Sequence, residues 1–245
     1  MKLSCFIINL KDSPQNFEKQ RPLLLEEGLD PIRFIGVDAR KDEHLEHLEH
    51  VTDWCRTTCP KTAIGCGLSH VLLARHIRDL GLPMALILED DAFPKTSNLL
   101  HHIQKTIQET PDDWDILKLH CFFPCLQNSI TSKGSSTAAY LISSRGVQKL
   151  ADTKVNTHLD FQINTSEFKV YKSRNNLFWT DESMSTNRGS NSTFGDLQKF
   201  GFEGEHSLSQ CVSYKILRVP GTRLEITGVH CIVLVCLIIL FCSIR

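Results

Sequence analysis

The sequence predicts an α/β sandwich built on a largely parallel sheet, and three observations predict it. Strand-type and helix-type apolar spacings alternate from Leu3 to Asp152. The apolar run Leu86-Ile87-Leu88 breaks straight into Glu89-Asp90-Asp91, as a buried strand does when it empties at a sheet edge. At 245 residues and 41% hydrophobic content, the chain can also bury one substantial core.

The elements follow in order. Leu3 to Leu10 is a short apolar run of strand length, with one preceding charge and no small-residue cleavage site, so it reads as the first strand and not as a signal peptide. Pro14 to Glu27 carries helical spacing at Phe17, Leu24 and Leu25, and Gly28 can stop it. Ile32 to Val37 is again strand-like and ends at Asp38. His44, His47 and His50 recur at intervals of three within Asp42 to Asp53, a spacing open to metal capture but better read as an exposed charged segment with alternating Glu. Gly65 to Gly81 reads as a helix with Leu68, Val71, Leu72 and Ile77 on its apolar stripe, leading through Pro83 into a strand from Met84 to Leu88. Asp91-Ala92-Phe93-Pro94 reads as a loop. Trp114 to Leu119 and Ala138 to Ser143 supply further strands, Arg145 to Asp152 a helix, and Phe168 to Tyr171 a last strand. Asn175 to Ser213, rich in Asn, Ser, Thr and Gly, reads largely as loop.

Charge and cysteine content narrow the function. A formal net charge of −1, with no basic stripe interleaved with aromatics, gives nucleic-acid binding no electrostatic support. The 10 cysteines are scattered, and neither Cys55/Cys59 nor Cys121/Cys125 has zinc-site spacing, so most read as reduced, packed thiols. Residues 226–244 hold no formally charged side chain if His230 is neutral, and their length approaches the ~30 Å hydrocarbon thickness of a bilayer. Lys215, Arg218 and Arg223 precede this stretch and only Arg245 follows it. The expectation is therefore a single-pass C-terminal transmembrane anchor with the globular part on the cytosolic side, a buried terminal helix or strand being the other reading.

The acid triplet is where chemistry is expected. Carboxylate oxygens suit Mg²⁺ or Mn²⁺, ions that take one or two protein carboxylates and complete their shell with water and substrate phosphates. A solvated turn or a helix N-cap explains the same triplet. Ser69 and His70, read as the start of a helix, could offer amide donors to a phosphate, or be a local cap and a packed polar residue. Asp38 fits either a nucleoside contact or a turn. Lys118 fits either a phosphate contact or an exposed strand lysine.

Five segments in order, Ile8-Asn9-Leu10, Phe34-Ile35-Gly36-Val37-Asp38-Ala39-Arg40, Gly65-Cys66-Gly67-Leu68-Ser69-His70, Leu86 to Asp91 and Ala139-Tyr140-Leu141-Ile142-Ser143, resemble glycosyltransferase family 25. That family includes lipooligosaccharide galactosyltransferases and the galactosyltransferase domains acting on collagen hydroxylysine. The resemblance implies a GT-A-like, Rossmann-related α/β/α sandwich over residues 1–175, followed by a variable loop or linker region at 176–225 and the apolar helix at 226–244. It implies metal-dependent, inverting transfer of galactose or glucose from a UDP-sugar to a glycan or hydroxylated protein. On that mapping Asp91 and Glu89 hold Mn²⁺ or Mg²⁺, while Asp38, Ser69, His70, Glu89, Asp90 and Lys118 bind the donor. Asp160, in His158-Leu159-Asp160, is the base, although a helix cap accounts for it as well.

The segment after Asn175 departs from the family's pattern, with Leu177 to Glu182 only a loose counterpart of the portion that closes the site. A non-catalytic, membrane-tethered interaction or adhesion protein on the same fold is the alternative. A different metal-dependent phosphoryl-transfer or hydrolase centre ranks last, because the chain lacks both a Gly-x-x-x-x-Gly-Lys loop and a Gly-x-Ser-x-Gly elbow.

Overall fold

The computed structural model describes residues 3–121, 130, 136–181, 183–184, 215–218, 225–227, 234 and 237. Their center is a six-stranded sheet formed by β1 (Ser4–Leu10), β2 (Pro31–Gly36), β3 (Met84–Glu89), β5 (Ile116–Lys118), β6 (Ala139–Ser143) and β7 (Val170–Lys172), in the spatial order β2-β1-β3-β6-β5-β7. All run parallel except β6, which is antiparallel to both β3 and β5. The parallel strands therefore end at one common edge, where an open α/β sheet binds its ligands.

Alternation sorts the side chains. Phe6, Ile8, Ile87, Tyr140 and Ile142 face one core, with helices α3 (Lys61–Asp79), α5 (Ser144–Ala151) and α6 (Leu159–Thr165). Cys5, Ile7, Leu86, Leu88 and Leu141 face the other, with α1 (Pro14–Glu26) and α4 (Leu99–Glu109). A sheet covered on both faces needs strands that are apolar throughout, and residues 85 to 88 are all fully buried. Each buried Leu or Ile contributes roughly 2 kcal/mol. Glu89 thus leaves a rigid strand.

The early expectations meet the structure closely at β1, α1, β2 and β3. Pro14 opens α1 and Gly28, at φ 77°, ends it as anticipated. The helix expected from Gly65 begins instead at Lys61, so Ser69 and His70 sit in its interior, where backbone amides are already bonded within the helix. Gly65 and Gly67 serve packing. A Cβ on Gly65 would lie 2.6 Å from the Val37 carbonyl, so α3 can lie this close to the chain after β2 only with glycine there, and one on Gly67 would lie 2.8 Å from the Val155 side chain, between α5 and α6.

Other expectations need correction. Ala92–Pro94, read as loop, forms β4 and pairs antiparallel with β8 (Phe178–Thr180), inside a region read as linker. Helix α2 (Asp53–Thr58) presents Cys55, and a disulfide joins Cys55 to Cys59 where reduced thiols were expected. Cys5, Cys66 and Cys121 are free. His44 caps a kinked 3-10 segment, Leu45–His50, that carries His47 and His50, and among the described residues the three do not form a metal-binding group.

The membrane anchor and its cytosolic orientation are also corrected. Among the described residues no helix is long and apolar enough to cross a membrane. Ile226 and Thr227, the first residues of the expected span, belong to β10 (Glu225–Thr227), which pairs antiparallel with β9 (Lys215–Arg218). A strand hydrogen-bonded to its neighbor does not open a spanning helix. Apart from Leu234 and Leu237, residues 228–244 lie outside the described residues.

Candidate functional site

The edge where β1, β2 and β3 end carries a concave pocket, lined among others by Asp38, Arg40, Cys66, His70, Glu89 and Asp90. Sequence reasoning named four of these six.

The three acids are held differently. The Asp90 carboxylate accepts from Asn9 Nδ2 at 2.6 Å and Asn16 Nδ2 at 3.1 Å, which fixes the turn after β3 to β1 and α1. Burial pushes its carboxyl above the ordinary range in spite of these donors. Gln20 Nε2 reinforces the turn by donating to the carbonyls of Glu89, at 3.1 Å, and Ala92. Asp90 is in this way the framework of the turn as well as part of the pocket wall.

Glu89 Oε1 accepts from the Thr137 hydroxyl at 2.7 Å and lies 3.4 Å from His70 Nε2. Burial opposes its ionization, but His70 and Thr137 together hold it below the usual carboxylate range. Asp91 has no such support. Its Oδ1 is buried without a hydrogen-bond partner, and burial, with Glu89, Asp90 and Asp181 adding like charge, pushes its carboxyl well up.

On α3, the His70 ring is buried between β3 and β6. Nδ1 meets the Tyr140 hydroxyl at 2.9 Å, leaving Nε2 without a hydrogen-bond partner on the side of Glu89. Cys66, one helical turn earlier, completes a cluster in which a ligand atom from each of Cys66, His70 and Glu89 lies within 4.8 Å of the others. Burial, then Glu89, Asp160 and Asp91, raise the Cys66 thiol well above its ordinary value. Buried oxygen and nitrogen atoms lacking partners, beside crowded acids, fit a divalent cation. The carboxylates suit Mg²⁺ or Mn²⁺, and the Cys66–His70 pair adds donors of the kind zinc favors. Asp91 stands outside the three-residue cluster.

Ser69 and Asp38 have local work. Ser69 Oγ accepts the Val37 amide at 2.8 Å and donates to the Gly65 carbonyl at 2.7 Å, tying α3 to the chain after β2. Asp38 caps a 3-10 turn by accepting the Arg40 amide, and the Arg40 guanidinium grips both its oxygens, at 2.7 and 2.8 Å. That ion pair holds its carboxyl low.

Lys118 is not the exposed strand lysine that a surface reading suggested. It is fully buried on β5, outside the lining of this pocket. Asp160 sits in the first turn of α6 with Oδ1 buried and unpartnered, and its charge bears on Cys66, Lys118 and Tyr140. Helix α6 therefore brings it to the same sheet face as Glu89.

Thr137, Tyr140 and Cys66 were not foreseen as site residues. Cys66 alone had a legible signal, its i, i+4 spacing to His70. Tyr140 and Thr137 are joined to the site only because β6 and the chain just before it lie beside β3.

The chain matches the family model described as Glycosyltransferase family 25 (LPS biosynthesis protein) over residues 2–163. No curated protein matches it. Among solved structures it is similar to A197 from STIV (11% identity, TM-score 0.37, covering 74% of this chain and 86% of that one). It is also similar to mannose-1-phosphate geranyltransferase from Thermus thermophilus (10%, TM-score 0.40, 75% and 77%) and to apo mouse xyloside xylosyltransferase 1 (9%, TM-score 0.37, 77% and 82%). At those scores they bear on nothing in the site.

Proposed function

The chain belongs to glycosyltransferase family 25, and from that membership we propose that it moves a hexose, galactose or glucose, from a UDP-sugar to a hydroxyl of a glycan or hydroxylated protein, with inversion and with a divalent cation. The observation that carries this reading is the strand β3, fully buried from Ala85 to Leu88, that delivers Glu89 and Asp90 to the pocket lining and sets Asp91 directly after them, with one buried Asp91 oxygen lacking a partner.

Asp38 with Arg40, His70, Glu89 and Asp90 form the donor side, and Ser69 lines it with its hydroxyl turned to the backbone of Val37 and Gly65. Asp91 and Glu89 would hold Mn²⁺ or Mg²⁺, Glu89 being the one of the two that also lies within 4.8 Å of ligand atoms of Cys66 and His70. Bound there, the cation would neutralize charge on the departing diphosphate.

In the transfer, the acceptor oxygen bonds to the anomeric carbon as the bond from that carbon to the diphosphate oxygen breaks, and its electron pair leaves with UDP. The proton of the acceptor hydroxyl passes to the Asp160 carboxylate, which stands at the start of α6 and has no hydrogen-bond partner at Oδ1. His70, oriented by Tyr140, keeps Glu89 ionized and pointed into the pocket.

Calorimetric titration of the full chain with UDP, UDP-galactose and UDP-glucose, with and without Mn²⁺, tests the donor half directly. Metal-dependent binding that weakens at least tenfold in Asp91→Ala supports the reading. Absence of binding to a folded protein in either condition contradicts it.

A further inference from the structure

The sheet carries a second polar feature beyond the donor pocket. In register across the strands stand Ile87, Tyr140, Lys118 and Lys172, each opposite the next. Paired residues point to the same face, so the two lysines stand side by side on the face that α6 covers with Leu159 and Ile163. Both are fully buried, and neither Nζ has a hydrogen-bond partner.

Two adjacent buried ammonium groups without an anion are an unstable arrangement. Proteins answer it by neutralizing the groups or by supplying a counter-charge. Burial lowers both lysines here, while Asp160 and Cys121 pull Lys118 the other way and Cys121 does so for Lys172. Asp160 makes no hydrogen bond to either lysine, and its own Oδ1 is likewise unpartnered.

We propose that Lys118 and Lys172 form an anion subsite that takes a carboxylate or phosphate carried by the acceptor sugar. The pair lies two and three strands beyond Ile87 in the sheet order, roughly 10 to 14 Å away at the usual strand spacing, and Glu89 is two residues further along β3. The donor pocket is lined by neither lysine. Asp160, the base in the reading above, stands in the first turn of α6, whose Leu159 and Ile163 pack on the sheet face that carries the lysines, so a group bound beside them lies on the side of the base. The inference rests on that reading for the word acceptor. The anion site itself does not require turnover.

The test uses the full chain and inorganic phosphate. Phosphate binding is measured by calorimetry, and thermal unfolding is followed in phosphate-free and phosphate-containing buffer, for the wild type, Lys172→Met and Lys172→Arg. The inference expects saturable phosphate binding that persists with UDP at saturation, falls roughly tenfold or more in Lys172→Met, and is largely restored in Lys172→Arg. It also expects Lys172→Met to unfold at a higher temperature than the wild type without phosphate, because an unpaired buried charge is gone, and to lose the stabilization by phosphate. An anion that UDP displaces belongs to the donor's diphosphate position and overturns the acceptor assignment. Phosphate binding unchanged in Lys172→Met, or a Lys172→Met protein less stable than the wild type in phosphate-free buffer, overturns the subsite.

Discussion

His70 presents Nε2 to Glu89 Oε1 at 3.4 Å, while its Nδ1 is tied to the Tyr140 hydroxyl at 2.9 Å. A helix residue and a strand-end carboxylate are thereby set from a third element, β6. The contact links the fold to the chemistry, because Glu89 lies at the pocket and Tyr140 lies in the core.

Tyr140→Phe removes the hydroxyl and frees the ring of His70 to rotate. The fold should survive, because the substitution keeps the buried ring. Turnover is expected to fall about tenfold while the KM for the donor changes little, as for a residue that positions another. Parallel kinetics and thermal unfolding of the two proteins check this.

Asp91 should make the metal-free protein less stable as pH rises. Its folded carboxyl titrates well above the unfolded value, so stability is intact below the unfolded pKa and declines as pH climbs through the raised one. Asp91→Asn is expected to raise metal-free stability by about 1 kcal/mol at neutral pH and to abolish the stabilization by Mn²⁺. Unfolding midpoints from pH 4 to 8, with and without the ion, give both numbers.

Asp115 is the opposite case. It is fully buried, and its carboxylate accepts from Arg145 Nε and Lys149 Nζ, each at 2.6 Å, and from the Lys169 amide at 2.8 Å. Burial works against ionization, but these donors hold its carboxyl low. Its contribution is present above the unfolded pKa and lost as pH falls through the lowered one. Asp115→Ala should cost about 3 kcal/mol near neutrality, and Asp115→Asn should flatten the acid limb of the stability curve. Urea unfolding at several pH values measures both.

Ser69→Ala leaves the buried Val37 amide without its acceptor and should cost about 1 to 2 kcal/mol. Donor KM is expected to stay within about twofold, because the hydroxyl is already committed to the backbone. A large KM change with unaltered stability would instead assign the hydroxyl to the donor.

The strands and helices legible in the sequence were those with long, regular spacing. β3 announced itself because four consecutive residues, Ala85 to Leu88, are apolar and the next three are acidic. Ala92–Pro94 and Phe178–Thr180 are too short to show a period, and each is a strand only because the other pairs with it. The acid triplet was visible, but its division of labor was not. Asp90 is tied to Asn9 and Asn16, more than seventy residues away in sequence, and no local pattern encodes such a partner. Lys118 is read from sequence as a surface residue, since lysine is rarely buried without a partner. Its burial opposite Lys172 is a matter of register between β5 and β7. The apolar tail misled for a related reason: residues 226 and 227 have a composition that suits a membrane helix and a strand alike, and they pair with β9.

The central claim is that the acids after β3 carry metal-dependent hexosyl transfer. The most direct test is turnover of UDP-galactose and UDP-glucose by the full chain, followed as release of UDP with and without Mn²⁺, beside Asp91→Ala and Asp160→Asn. Metal-dependent release from one donor, lost in Asp91→Ala and depressed at least a hundredfold in Asp160→Asn, is the predicted result. A folded wild-type protein that binds the donor yet releases no UDP with any metal, or one whose turnover survives Asp91→Ala, would contradict the account.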